Sequence, residues 1–227
     1  MSLLERQLQS ELHALKTEAG RKFPKVREGA ERADRCLREI IDAGAASDAD
    51  VAVAVRRVGE MDEMLAPALL AFETKNAKFM ALAWGYMTRL ASYDALAVAA
   101  FASVSPALKA AVSGASVDES VLLRVLQCIG ACLQAPHLLA SKDSVCALVE
   151  SLLTLHSSKS CMISNTAGAT LRQGVATIFE HAAHSLSLSH LDPSSPGASG
   201  QGGGGDGGGP GGSGGGGADE WEDFAGK

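Results

Sequence analysis

Leu4, Leu8, Leu12, Leu15 and Ala19 recur at steps of three and four, the spacing that lines one face of an α-helix. Ser2-Leu3-Leu4-Glu5 in front of them has the order of a capping box, and Gly20 is placed to stop the helix. Pro24 predicts the start of a second helix, which buries Val26, Ala30, Ala33, Leu37, Ile40 and Ile41. After a break over 44–48, Val51, Val55 and Val58 mark a third. Pro67 falls in the first turn of a short helix running through Phe72. The polar run Glu73-Thr74-Lys75-Asn76-Ala77-Lys78 precedes a strong helix with Phe79, Leu82, Ala83, Tyr86, Met87 and Leu90 inward. Ser105-Pro106 reads as an N-cap with proline at the first helical position. Ser116-Val117-Asp118-Glu119 repeats the capping-box order ahead of Val121, Leu122, Val125, Leu126, Ile129 and Leu133, and Pro136 ends that helix. Two further helices are predicted, over roughly 143–156 and 160–188.

Strong helices thus begin near Lys75, Val117 and Lys159, two steps of 42 residues, with shorter helices between. The two outer ones carry an arginine at matching depth, Arg89 and Arg172. Armadillo and HEAT units recur at about 40–47 residues, each hiding its apolar face only against its neighbours. The expected fold is therefore all-α, an armadillo/HEAT-like helical repeat solenoid. Composition agrees: 46% of residues are hydrophobic but only 4% aromatic, so alanine, leucine and valine must fill the core.

After Asp192-Pro193 the chain turns to serine, proline and then glycine, which cannot bury a core. Two parts are expected: a helical-repeat interaction domain over 1–190, and a disordered Gly-rich tail over 191–227. Five carboxylates from Asp206 to Asp223 face the single Lys227 in that tail, so −4 of the net charge of −6 lies there and Met1 to Pro193 carry −2. A near-neutral body lacks the positive field of a nucleic-acid binder. The most hydrophobic stretch, 95–117, is interrupted by Pro106 and Lys109 and makes a poor membrane span. The first residues carry charges where a signal peptide needs an apolar run, and the five cysteines form an odd set within apolar patterns. A cytoplasmic protein with reduced, buried thiols is expected.

Chemical motifs are few. Cys128 and Cys132 lie four apart on an apolar helical face, with His137, Cys146 and His156 downstream, but a zinc site wants closer pairs on converging loops. Glu180 and His184 lie one turn apart, without the His-Glu-x-x-His order of a zinc hydrolase, and read as a polar helix end. No nucleophile elbow, Walker loop or dinucleotide fingerprint occurs. No enzyme activity, metal or cofactor is expected. Arg21, Lys22, Lys25 and Arg27 sit among Glu18, Glu28 and Glu31, which favours a solvated mixed-charge face over a membrane patch. Trp221-Glu222-Asp223-Phe224 is an acidic strip with two aromatic anchors, Trp221 and Phe224. It has the form of peptides that dock on adaptor appendage domains, or it is incidental linker.

Several blocks together resemble one family. Leu8-Gln9-Ser10-Glu11-Leu12, Lys22-Phe23-Pro24-Lys25-Val26-Arg27-Glu28, Glu73-Thr74-Lys75-Asn76-Ala77-Lys78, and Ser164-Asn165-Thr166-Ala167-Gly168-Ala169-Thr170-Leu171-Arg172-Gln173 followed by Phe179-Glu180 look like a DCB (dimerisation and cyclophilin-binding) domain. Such domains open the large Arf guanine-nucleotide exchange factors and their non-catalytic monensin-sensitivity relatives, to which the blocks are most similar. The stretches 43–58 and 94–117 depart from the pattern. The resemblance implies a scaffold in Golgi, trans-Golgi and endosomal traffic, held peripherally on membranes through its partners. It implies self-association, a homodimer included, contact with a neighbouring HUS domain, and binding of an Arf-like small GTPase. Carried over by motif, Lys75, Asn76, Lys78 and Tyr93 would form the GTPase surface. The alternative is ordinary solvation of a helix start for the lysines and partial burial against the next helix for Tyr93. Asn165, Thr170 and Arg172 are expected to hold adjacent repeats together by hydrogen bonds. Two alternatives stay open: the regulatory head of a catalytic exchange factor, and an adaptor acting through its tail peptide.

Overall fold

The computed structural model describes residues 3–43, 47–58, 63–114 and 117–189, apart from the side chains at 57, 58, 188 and 189. Ten helices and no strand run through the described residues: α1 (Leu3–Ala19), α2 (Pro24–Asp42), α3 (Asp48–Val58), α4 (Ala66–Glu73), α5 (Ala77–Ser92), α6 (Val98–Ser113), α7 (Glu119–Cys132), α8 (Pro136–Leu139), α9 (Lys142–His156) and α10 (Cys161–Ser189). All belong to the unit Met1–His190. The Gly-rich tail and its Trp221 and Phe224 lie outside the described residues.

Contacts between helices sort them into two layers. One runs α1, α5, α7, α10 and the other α2, α4, α6, α9, each helix touching the next in its row. Across the layers α1 meets α2, α4 meets α5, α6 meets α7 and α9 meets α10. The helices α5, α7 and α10 start at residues 77, 119 and 161, two steps of 42. This is a helical repeat, in which every apolar face is hidden by the unit beside it. Among the described residues no helix is long and apolar enough to cross a membrane.

The core follows the predicted stripes. Leu4, Leu8, Leu12 and Leu15 are fully buried, as are Leu37, Phe79, Tyr86, Met87 and Leu90. Leu82, Leu122 and Ile41 are only partly buried, while Trp84, absent from the predicted inner face, is fully buried against Phe72 with ring centroids 4.5 Å apart. Each such side chain contributes about 1.5–3 kcal/mol by leaving water.

Helix ends account for most departures from the sequence reading. Pro106 does not open a helix: α6 begins eight residues earlier, capped by Ala97, and carries Pro106 inside it. Ala100, Phe101, Val104, Leu108 and Ala111 bury one continuous face across the proline, and that burial outweighs the lost backbone bond. The cap of α7 is Asp118, whose carboxylate accepts from the Ser120 N–H at 2.8 Å; Ser116 lies outside the described residues. Hydrogen bonds from the Ser120 hydroxyl and N–H hold the Asp118 carboxyl below its ordinary range. Helix α7 ends at Cys132, ahead of Pro136 as predicted, and Pro136 also starts α8. At the start of α1 the Leu4 N–H donates to Asp48 Oδ1 at 3.0 Å, so the third helix caps the first.

Candidate interaction site

The turn between α4 and α5 is built by three consecutive residues. Thr74 caps α4, and its hydroxyl donates to the Ala71 carbonyl at 2.7 Å while accepting from the Asn76 N–H at 3.2 Å. Lys75 sits between them at φ 52°, in the left-handed region that ordinarily favours glycine. Its N–H reaches the Phe72 carbonyl at 3.2 Å, closing α4. Asn76 then caps α5, its side-chain oxygen accepting from the Lys78 N–H at 3.0 Å. The predicted polar block is therefore a stop and a start joined by one strained lysine.

Lys75 is exposed, and among the described residues it makes no ion pair. Lys78 is exposed too, but its Nζ lies 2.5 Å from Glu18 Oε2 of α1. Lys75 stands at the edge of a groove of about 900 Å³. Leu69 and Phe72 of α4, Met80 of α5, Ala107 and Ala110 of α6 and Val121 of α7 give it an apolar lining. The groove has a simple origin. Helix α4 has 8 residues and its layer neighbour α6 has 16, so about 12 Å of helix lies against about 24 Å and α4 is too short to run along the whole of α6.

On the other side of the same turn lies a shallower hollow of about 300 Å³, where Lys22 and Lys25 meet Glu73 and Thr74. Phe23 anchors the α1–α2 connection there, its ring edge-on to Phe79 at 4.7 Å. Lys22 and Lys25 on this side, Lys75 on the groove side and Lys78 at the start of α5 make up the rim of the turn, with Glu73 lining both hollows. The sequence reading kept the two lysine groups apart. Fifty residues separate them, and only the pairing of α2 with α4 brings the two connections together.

Tyr93 is not part of that rim. It caps the far end of α5, half-buried, about 24 Å of helix from Asn76. Next to it Asp94 takes φ 53°, and the bonds from Asp94 N–H to Ala91 O and Ala95 N–H to Leu90 O complete a Schellman stop. Asp94 Oδ2 lies 3.3 Å from Arg56 of α3 and 2.7 Å from His137 of α8. The Arg56 and His137 side chains also touch each other. This tie of α3 and α8 to the α5–α6 connection has no signal in the sequence, because its members lie 38 and 43 residues apart.

The remaining candidates resolve as follows. Asn165 and Thr170 form side-chain bonds within α10, to Cys161 and to the Thr166 carbonyl, and Arg172 is exposed. The expected ties between repeats are made elsewhere, by Gln134 Nε2 donating to Thr177 at 3.1 Å and by the Ser160 hydroxyl donating to Glu119. Cys36, Cys128 and Cys132 are buried, but Cys146 and Cys161 are exposed, against the expectation of buried thiols. A hydrogen bond with Cys128 and burial push the Cys132 thiol up, and burial does the same for Cys36. Among the described residues no group of three or more His, Cys, Asp or Glu could hold a metal ion. Glu180 and His184 lie exposed near the end of α10.

Comparison with known proteins gives a consistent result. The model of the Mon2/Sec7/BIG1-like dimerisation and cyclophilin-binding (DCB) domain matches residues 1–185. Proteins described as MON2 homologs from Xenopus laevis and Homo sapiens are 28% and 29% identical over 173 residues, 76% of this chain and 9% of theirs. The MON2 homolog of Caenorhabditis briggsae is 30% identical over 173 residues, 10% of its length. The chain therefore spans about a tenth of the curated relatives it matches. No solved structure matches.

Proposed function

Because the chain belongs to the DCB family, we propose that it is a non-catalytic interaction domain of a membrane-trafficking scaffold. It acts on Golgi and endosomal membranes through protein contacts: with itself, with a neighbouring HUS domain and with an Arf-like small GTPase. The rim at the α4–α5 turn receives the GTPase. The observation that carries this reading is Lys75, an exposed cation held in a left-handed turn at the mouth of an apolar groove. Apolar anchoring inside a polar rim is the anatomy of a protein-binding surface. Lys22 and Lys25 extend the rim, Lys78 adds to it with its charge shared by Glu18, and Asn76 shapes it as a cap. Tyr93 enters only if the partner spans the whole length of α5.

The test is titration of GTP- and GDP-loaded Arf-like proteins against the wild-type chain and a Lys75→Glu/Lys78→Glu variant. The GTP form should bind the variant at least about tenfold more weakly, a loss of about 1.4 kcal/mol. Equal affinity for both chains removes the rim from the site. A second reading, the regulatory head of a catalytic exchange factor, is favoured by the Sec7/BIG1-like part of the family description, and it uses the same rim.

A further inference from the structure

Helix α10 has 29 residues and α9, which turns back along it through a short connection, has 15. Ser164 and His156 hold the two together at that connection, the Ser164 hydroxyl donating to the His156 carbonyl at 2.6 Å. By length α9 covers α10 only to about residue 175, so the last four turns of α10 run on beyond it. Gly174, fitted closely against Leu133, is the last fully buried residue of the helix among those described.

Past that point the helix carries the polar residues expected of its end, but one face of it stays apolar. Val175 is 40% exposed, Phe179 71% and Leu186 64%, and Ala182 is exposed between them. At about 100° per residue these four fall within roughly 60° of arc, a single stripe. The charged and titratable residues of this segment, Glu180, His181 and His184, lie roughly 130–170° from its centre. Ala176, Ile178, Ala183 and Ser185 flank the stripe, and none of them is charged. The family match extends to residue 185, so nearly all of this segment belongs to the domain.

We propose that the stripe is a self-association surface on which the overhanging half of α10 pairs antiparallel with the same segment of a second copy. This rests on the reading of the chain as a self-associating domain and names the surface that does it. The open position is the one α9 would fill if it were longer, so the occupant is a helix of about four turns with a narrow apolar stripe. The overhang of α10 is itself such a helix. A two-fold contact requires a patch that complements itself, and an uncharged stripe meets its own copy with no like-charge cost. With the axis near Ala182, the two small side chains let the helices approach, and Phe179 of each copy lies beside Leu186 of the other. Four turns against four bury a few hundred Å² per copy, under the roughly 800 Å² of a stable interface, so the pair is reversible.

Sedimentation equilibrium of the 227-residue chain over roughly 10–300 µM tests this. The wild type should pass from monomer to dimer, and Phe179→Asp should weaken the association at least about tenfold while its circular dichroism and melting stay unchanged. In a Cys146→Ser/Cys161→Ser background, Ala182→Cys should oxidise to a covalent dimer. A Phe179→Asp chain that dimerises like wild type overturns the α10 surface and leaves self-association standing elsewhere. A wild type that stays monomeric throughout overturns both. If that monomer also protects Phe179→Cys from maleimide, a segment of the same chain covers the stripe.

Discussion

Tyr86 is fully buried, and its hydroxyl donates to the Met64 carbonyl at 2.9 Å, joining α5 to the residues ahead of α4. Burial drives its pKa far above the ordinary phenol value, so it stays a neutral donor at any physiological pH. Tyr86→Phe orphans a carbonyl and should cost about 1–2 kcal/mol in urea unfolding. Lys75 presents the opposite balance. Relieving a left-handed non-glycine residue gains about 1–2 kcal/mol, and glycine's extra chain entropy takes back about 0.5–1. Lys75→Gly should therefore raise the unfolding midpoint while weakening GTPase binding; a variant that is both less stable and equally able to bind would show the side chain serves the fold instead. The thiols separate by exposure: Cys146 and Cys161 should react with Ellman's reagent in the native protein, and Cys36, Cys128 and Cys132 only in denaturant.

At the scale of the element, the apolar stripes made α1, α2, α5, α9 and α10 legible, because burial on one face repeats with the helix period. The ends were less so. A Ser-Pro pair has the local form of a helix start, and nothing local says that α6 already exists by Val98. Tertiary burial on both sides of Pro106 decided it. Pro106 gives the Ala102 carbonyl no N–H partner, so Pro106→Ala should stabilise the protein by about 1–3 kcal/mol, measured as a shift in urea midpoint at unchanged slope. At Leu8, buried to 0% exposure in α1, truncation to alanine should cost about 2–5 kcal/mol.

For the whole molecule, the 42-residue step was visible in the sequence because each repeat must present the same face to its neighbour. The rim was only half visible. Lys75, Asn76 and Lys78 stood in one polar block, but Lys22 and Lys25 join them through the packing of α2 on α4, and Tyr93 belongs to the opposite end. The α10 stripe lay in plain sight as apolar residues, yet only the length of α9 shows that this neighbour stops short of it.

Helix α4 stops after two turns where its neighbours run for four or more. A row of rods with one cut short yields first at the gap when it is flexed, since few side chains there resist the approach of the rods on either side. The repeats before and after the notch would then swing as two leaves about the α4–α6 contact. A side chain wedged into the notch would lock them, so occupancy at the Lys75 end would be felt as stiffness at the far end of the stack.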